Sequence, residues 1–161
     1  MQGRIRNEAC RTFTICVDFY ERGMMSGWFC SLERESEAET FCSLTQMIVS
    51  IEQKLNAANY PQSFTAMRSF APIQEVRPDR REETRLSSGL VGTFVVKIFF
   101  RQHTSWQGTI TWQEGCGEQA FRSVLELILL MDSALSSRWK RAEAERGSGA
   151  GDAAPGALEK R

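Results

Sequence analysis

The chain has 161 residues, and its twenty basic side chains balance its twenty acidic ones. This length suits one domain with a sizeable core, and the hydrophobic content of 42% is typical of a soluble globular protein. A net charge of zero disfavours a general nucleic-acid binder, which usually carries a basic excess to displace counterions.

The sequence also predicts no transmembrane helix and no secretory signal. No apolar run approaches the roughly 18 residues of a transmembrane helix. The N-terminal MQGRIRNEACR has no apolar core, so we expect no secretory signal. Five cysteines without an export signal indicate reduced thiols, and the sequence therefore predicts a cytoplasmic protein without membrane contact.

An internal repeat organises the chain. Thr12-Phe13, at the head of TFTICVDFYERGMMSG, recurs as Thr93-Phe94 in TFVVKIFFRQHTSWQG, 81 positions later. Repetition of this kind decides the architecture of a protein. The same alignment, with one deletion before the helices, matches Phe19 with Phe100, Gly27 with Gly108, Phe41 with Phe121, Ile48 with Ile128 and Leu55 with Leu135.

Each copy begins with a predicted strand and hairpin. Residues 12–20 and 93–101 alternate with period two, which is typical of a sheet with one buried face. A second run follows each strand, and Gly23 can supply a positive φ in the first turn. Trp28 and Phe29 have opposite phases, so one of them should be exposed or lie at the edge. The predicted inner rows are Phe13, Ile15, Val17 and Phe19, and Phe94, Val96, Ile98 and Phe100.

Two matched capping boxes predict where the helices begin. Ser43-Leu44-Thr45-Gln46 and Ser123-Val124-Leu125-Glu126 both have the Ser-x-x-Gln/Glu pattern that satisfies free N–H groups. The sequence thus predicts an α+β domain over 1–141, built from two fused ββα repeats. It would have one antiparallel sheet of about four strands with both helices on one face. The predicted parts are repeat one at 12–58, a flexible linker at 71–89, repeat two at 93–138 and a disordered tail at 147–161.

One segment resembles a known family. Its marks are an FRQ…WQG…W hairpin, here from Phe100 to Trp112, and a FRSxLELIxLMDSAL helix over Phe121–Leu135. Both are similar to motifs in a family of small, uncharacterised bacterial proteins. The resemblance covers about a third of the chain well and implies a compact module, with no particular reaction.

The cysteines and the histidine offer little catalytic chemistry. If the first hairpin pivots on Gly23, Cys16 and Cys30 lie opposite each other, as two small apolar residues or as a redox pair. Cys116 lies in a glycine-flanked turn with acidic neighbours, which disfavours a reactive thiol and favours an ordinary turn. His103, the only histidine, is expected at a solvated hairpin tip. We therefore expect no enzyme, no metal site and no cofactor.

The open face of the predicted sheet is the candidate site. Its aromatic and basic mixture suits a protein interface, a single-stranded nucleic-acid platform, or an ordinary half-solvated sheet face. The candidate partner-binding residues are Tyr20, Val95, Lys97, Phe99 and Arg101.

These observations favour a non-catalytic binding or adaptor protein whose partner is another protein. Small inhibitors carried by mobile genetic elements, including anti-CRISPR-like ones, are one version of this hypothesis. The alternative is a nucleic-acid-binding regulator that uses the open sheet face. We expect a monomer or a weak homodimer formed through sheet edges.

Overall fold

The computed structural model describes residues 8–65, 68–72, 88–103 and 105–147, with the backbone alone at 35, 36, 139 and 142–147. The predicted tail beyond Gly147 and most of the predicted linker lie outside these residues. Within them, no helix has the length and apolar character that crossing a membrane requires. The elements are β1 (Thr12–Glu21), β2 (Met24–Ser31), β3 (Arg34–Phe41), α1 (Leu44–Ala58), β4 (Gly92–Phe100), β5 (Gln107–Trp112), β6 (Gly117–Phe121) and α2 (Val124–Gly147).

The six strands form one open antiparallel sheet in the order β3-β2-β1-β4-β5-β6. α1 packs over β2 and β3, and α2 packs over β5 and β6. Both helices share one core with the strands, so they cover one face, which we call the inner face; the opposite one is the outer face. The largest fully buried side chains are Phe13, Phe29, Phe94, Phe121, Ile15, Met47, Ile51, Leu55, Ile98, Leu127, Met131 and Leu135.

The α+β class is confirmed, but the prediction of four strands was wrong. β3 has the sequence RESEAETF and β6 has GEQAF, so neither shows the apolar alternation that marks β1 and β4. Both are edge strands, and each contributes its last residue, Phe41 or Phe121, to the core. Strands with so few buried positions carry a weak hydrophobic signal.

Both predicted capping boxes are present. The Ser43 hydroxyl accepts a hydrogen bond from the Gln46 N–H, and the Gln46 side chain accepts one from the Cys42 N–H. Ser123 and Glu126 make the equivalent pair of bonds at the start of α2. α2 continues to Gly147, beyond the end of the predicted repeat at residue 138.

A β-bulge interrupts each of the two long strands. The register of β1 on β2 shifts between Val17 and Phe19, and the register of β4 on β5 shifts between Ile98 and Phe100. A bulge adds one residue, and every side chain after it changes face. Phe19 and Phe100 are therefore about half exposed, at 49% and 54%, and their prediction as inner-face residues was wrong.

Two glycines allow close contact between neighbouring strands. A Cβ atom added at Gly27 would lie 2.0 Å from the carbonyl oxygen of Cys16. One added at Gly108 would lie 1.8 Å from the carbonyl oxygen of Lys97. No side chain fits at either point, which gives the Gly27 and Gly108 alignment a physical reason.

Candidate binding surface

The structure separates the five predicted partner-binding residues. Val95 and Lys97 lie half buried on the outer face, where Val95 pairs with Thr14 and Thr111. Phe99, the bulged residue of β4, is also half buried. Tyr20 and Arg101 follow the two bulges and are buried on the inner face, at 6% and 3% exposure. The prediction of one continuous open-face patch was therefore wrong for these two.

Arg101 is the centre of a buried polar network. Its Nη1 donates to Glu52 Oε1 at 2.9 Å, and its Nε donates to the carbonyl oxygen of Pro61 at 2.7 Å. The same Nη1 also reaches the Asn56 amide oxygen at 2.5 Å. The Trp106 indole N–H donates to the second oxygen of Glu52 at 2.6 Å. A buried carboxylate is tolerated when it is paired and hydrogen-bonded in this way.

Tyr20 makes a simpler contact at the other end of the sheet. Its hydroxyl donates to Asp132 Oδ1 at 2.7 Å. Burial, followed by this hydrogen bond and the Asp132 charge, raises the pKa of the Tyr20 phenol. Asp132 is half buried on α2, so this hydrogen bond holds the end of β1 against the helix.

These two contacts occupy equivalent places in the two halves of the chain. Tyr20 and Arg101 are 81 positions apart. Each is the second residue after the bulge of its strand, which lies at position 18 in β1 and position 99 in β4. Each reaches across to the helix of the other half, Tyr20 to Asp132 on α2 and Arg101 to Glu52 on α1. The pair of contacts therefore ties each strand end to the opposite half.

The outer face of the first half is largely sealed. Cys16, Trp28 and Cys30 form a buried cluster there, with exposures of 0%, 8% and 7%, and Ala38 packs against them. Trp28 and Phe29 are both buried and β2 lies between β1 and β3, so the expectation that one of them is exposed or lies at the edge was wrong. Among the residues that the structure describes, none accepts a hydrogen bond from the indole N–H of Trp28.

The predicted pairing of Cys16 with Cys30 was wrong, because the first hairpin turns between Arg22 and Gly23 and the β1 bulge shifts the register by one further residue. Cys16 pairs with Trp28, and Cys30 pairs with Thr14, so the two thiols are diagonal neighbours rather than opposed. No disulfide joins them. Burial, followed by the proximity of Cys30 and Asp18, raises the pKa of Cys16 to about 12. A thiol with so little thiolate at neutral pH is a poor nucleophile.

Residues before β4 close one end of this sealed region. The Gly89 N–H donates to the Thr93 hydroxyl at 2.9 Å, and the Leu90 N–H donates to Asp18 Oδ1 at 3.1 Å. Glu114 accepts a hydrogen bond from the Thr93 N–H at 2.9 Å. Thr93 is consequently fully buried although it lies on the outer face.

A cation stacks at the other end of β4. The Arg11 guanidinium lies 5.1 Å from the centre of the Phe99 ring and 5.7 Å from that of Tyr60. The carbonyl oxygen of Arg11 accepts a hydrogen bond from the Ile98 N–H, which fixes the backbone beside Lys97. Arg11 thus accounts for part of the burial of Phe99.

The second half leaves a wider accessible surface. Thr109 lies between Lys97 and Ala120, and Thr111 lies between Val95 and Glu118. β6 was missed from the sequence, so its contribution to this face was missed as well; GEQAF gives only a weak strand signal. We call this the β4–β6 outer surface, and its half-buried or exposed members are Val95, Lys97, Thr109, Thr111, Glu118 and Ala120.

The other chemical candidates remain dispersed. His103 and Cys116 are both exposed, with φ of 53° and 49°, in the turns on either side of β5. In the described part of the chain no three His, Cys, Asp or Glu side chains are placed to hold a metal ion. A cleft of about 530 Å³ lies between the β2–β3 turn and the end of α1, and Lys54, Arg34, Glu33 and Tyr60 line part of it.

Comparison of the chain with protein-family models, curated proteins and solved structures gives no match. The resemblance to small bacterial proteins therefore stays a prediction.

Proposed function

We propose that this chain is a non-catalytic binding protein, and that its partner is another protein that contacts the β4–β6 outer surface. The observation that carries this proposal is the contrast between the two outer faces. The first half buries Cys16, Trp28 and Cys30, whereas the second half presents accessible side chains at Val95, Lys97 and Thr109. A flat face with mixed apolar and polar groups suits a protein interface.

The charge on this surface also suits a protein partner. Lys97 is its one basic side chain among the described residues. The carboxylate of Glu118 accepts a hydrogen bond from the Thr111 hydroxyl at 3.1 Å, so its charge is directed along its own sheet. Such a surface is nearly neutral, and a neutral surface does not repel a folded protein of either charge.

Nucleic acid is the second candidate. Arg11, stacked on Phe99, lies one residue before Thr12, which pairs with Lys97. Two cations beside an aromatic ring are typical of single-strand binding. Against this, Arg101 and Tyr20, which a nucleic-acid platform was expected to use, are buried.

The proposal includes the origin of the fold. We infer that the two halves are copies of one βββα repeat, each with one strand more than the sequence predicts. The 81-residue spacing of the bulges, the close-packed glycines and the cross-half contacts supports this inference. The central pairing supports it too, because Phe13 pairs with Val96 and Ile15 pairs with Phe94 in a reciprocal register. A cytoplasmic location goes with the proposal, since none of the five cysteines forms a disulfide.

Affinity capture from lysate tests the proposed function. The full chain and the Thr109→Asp variant would be compared after nuclease treatment, with Thr45→Asp as the control at an exposed position of α1. A protein retained by the wild type and the control, and lost with Thr109→Asp, is the expected result. An enzyme that the chain inhibits would fit the inhibitor version.

Two results would count against the protein partner. Capture that disappears with nuclease, and that Lys97→Ala weakens, would favour nucleic acid. Equal retention by wild type, Thr109→Asp and Thr45→Asp would remove the β4–β6 outer surface from the account.

A further inference from the structure

The sheet ends in two edge strands, β3 and β6. Within the described residues, each pairs with one neighbour, β3 with β2 and β6 with β5. In the described part of the chain no strand lies on the other side of either one, and the N–H and C=O groups of such an open edge can pair with a further strand. Natural proteins commonly protect such edges with charged side chains, and the two edges differ in this respect.

β3 carries a charge guard. Four of its eight residues are charged, namely Arg34, Glu35, Glu37 and Glu39. Glu37 pairs with Arg34 of the same strand, and the buried Glu39 pairs with Lys54 of α1. Antiparallel pairing of β3 with a second β3, centred on Ser36, Glu37 or Ala38, always places one glutamate opposite another. Like charges directly opposed across strands are destabilising. Self-pairing of β3 is therefore disfavoured in each of these three registers.

β6 has no comparable guard. Its one charged residue, Glu118, is held by the Thr111 hydroxyl of its own sheet. Gly117, Gln119 and Ala120 are uncharged and exposed. The charges that flank the strand are also engaged, because Arg122 pairs with Glu126 at 3.1 Å.

We propose that β6 is a self-association site at which a second copy of this chain adds its own β6 in antiparallel orientation. Centred on Gln119, this register places Gln119 opposite its own counterpart and Glu118 opposite Ala120. No like charges meet, and the two side-chain amides can exchange hydrogen bonds. A two-fold axis through Gln119 makes the contact self-complementary and closed, and it joins two sheets into one. Five residues per copy give a small interface, so the dimer is weak.

A charge-swap experiment tests the pairing. Gln119→Lys and Gln119→Glu each place like charges at the centre, and each should weaken dimerisation up to about fivefold in sedimentation velocity. An equimolar mixture of the two should recover association. Gln62→Lys, at an exposed glutamine outside both edge strands, is the matched control and should leave the dimer constant unchanged. A wild-type chain that stays monomeric at millimolar concentration, or variants that dimerise like the wild type, would overturn the proposal.

Disulfide trapping tests the register independently. Opposed residues on antiparallel strands have Cα atoms about 4.5–5.5 Å apart, within the range that a disulfide can bridge. In a Cys42→Ser, Cys116→Ser background, Gln119→Cys should give a covalent dimer on mild oxidation, and Glu37→Cys should not. Equal trapping at both edges, or adducts of Gln119→Cys with other proteins only, would contradict self-pairing through β6. The outcome is separate from partner capture on the β4–β6 outer surface, which does not use the strand edge.

Discussion

The two cross-half contacts occupy the same place in the fold and use different chemistry. Arg101 forms a charged network with Glu52, in which Trp106 and the Pro61 carbonyl satisfy the remaining groups. Tyr20 donates to the half-buried Asp132, and Ser136 and the Gly23 backbone also form hydrogen bonds with its hydroxyl. The backbone position is set by the bulge, whereas the side chains decide how much each contact stabilises the fold.

The outer faces of the two halves also differ in their side chains. Cys16 and Lys97 are 81 positions apart on equivalent strands, yet Cys16 is fully buried and Lys97 is half exposed. A cysteine and a tryptophan seal the first half, and a lysine with threonines opens the second. Under the proposed function, the first outer face contributes to stability and the second contributes to recognition.

The largest expected effect follows removal of the charged contact. Arg101→Met leaves the Glu52 carboxylate buried without its cation, so we expect a loss of about 3–5 kcal/mol in the free energy of unfolding. Urea denaturation monitored by circular dichroism measures it. Arg141→Met, at an exposed arginine of α2, is the control and should change stability little. A loss below about 1 kcal/mol would mean that the network contributes no more than a surface ion pair.

The close-packed glycines test whether the two halves share one backbone requirement. Gly27→Ala and Gly108→Ala each force a methyl group against a carbonyl oxygen, and each should cost about 3 kcal/mol. Gly117→Ala is the control, because its nearest contact would be 3.9 Å away. Equal losses at Gly27 and Gly108 would support the equivalence of the two halves. A large difference between the two losses would contradict it.

The sealed outer face predicts a pH dependence. The pKa of Cys16 rises from 9.0 to about 12 on folding, so the folded state holds this proton more tightly. The stability that the protonated Cys16 thiol contributes is fully present below pH 9 and is lost as the pH rises toward 12. Subtracting the profile of Cys16→Ala should reveal a loss of about 2 kcal/mol by pH 10.5. Identical profiles for wild type and Cys16→Ala would contradict a sealed thiol.

Removal of the hydrogen bond between Tyr20 and Asp132 should give the smallest loss of stability. Tyr20→Phe removes one hydrogen bond to a carboxylate that water can still reach, so the expected loss is about 1.5 kcal/mol. A double-mutant cycle with Asp132→Asn isolates the pairwise energy. A loss as large as that of Arg101→Met would show that the difference in chemistry between the contacts has no energetic consequence.

Local patterns predicted the parts of this fold that depend on local chemistry. Ser43 and Ser123 gave the helix starts because a capping box lies within four residues. The bulges at Asp18 and Phe99 could not be found in this way, since a bulge depends on how two strands meet. The one-residue shift at each bulge places Tyr20 and Arg101 in the core and not on the predicted open face. Edge strand β6 was missed because one apolar anchor, Phe121, gives no periodicity.

Site-specific photo-crosslinking tests the central claim most directly. A photoreactive amino acid would replace Thr109 on the β4–β6 outer surface or, as the control, Thr45 on α1, and the chain would be irradiated in cells. We predict nuclease-resistant adducts with one protein at Thr109 and none at Thr45. Adducts at Thr45 alone, or adducts at Thr109 that consist of nucleic acid, would contradict a protein-binding role for this surface.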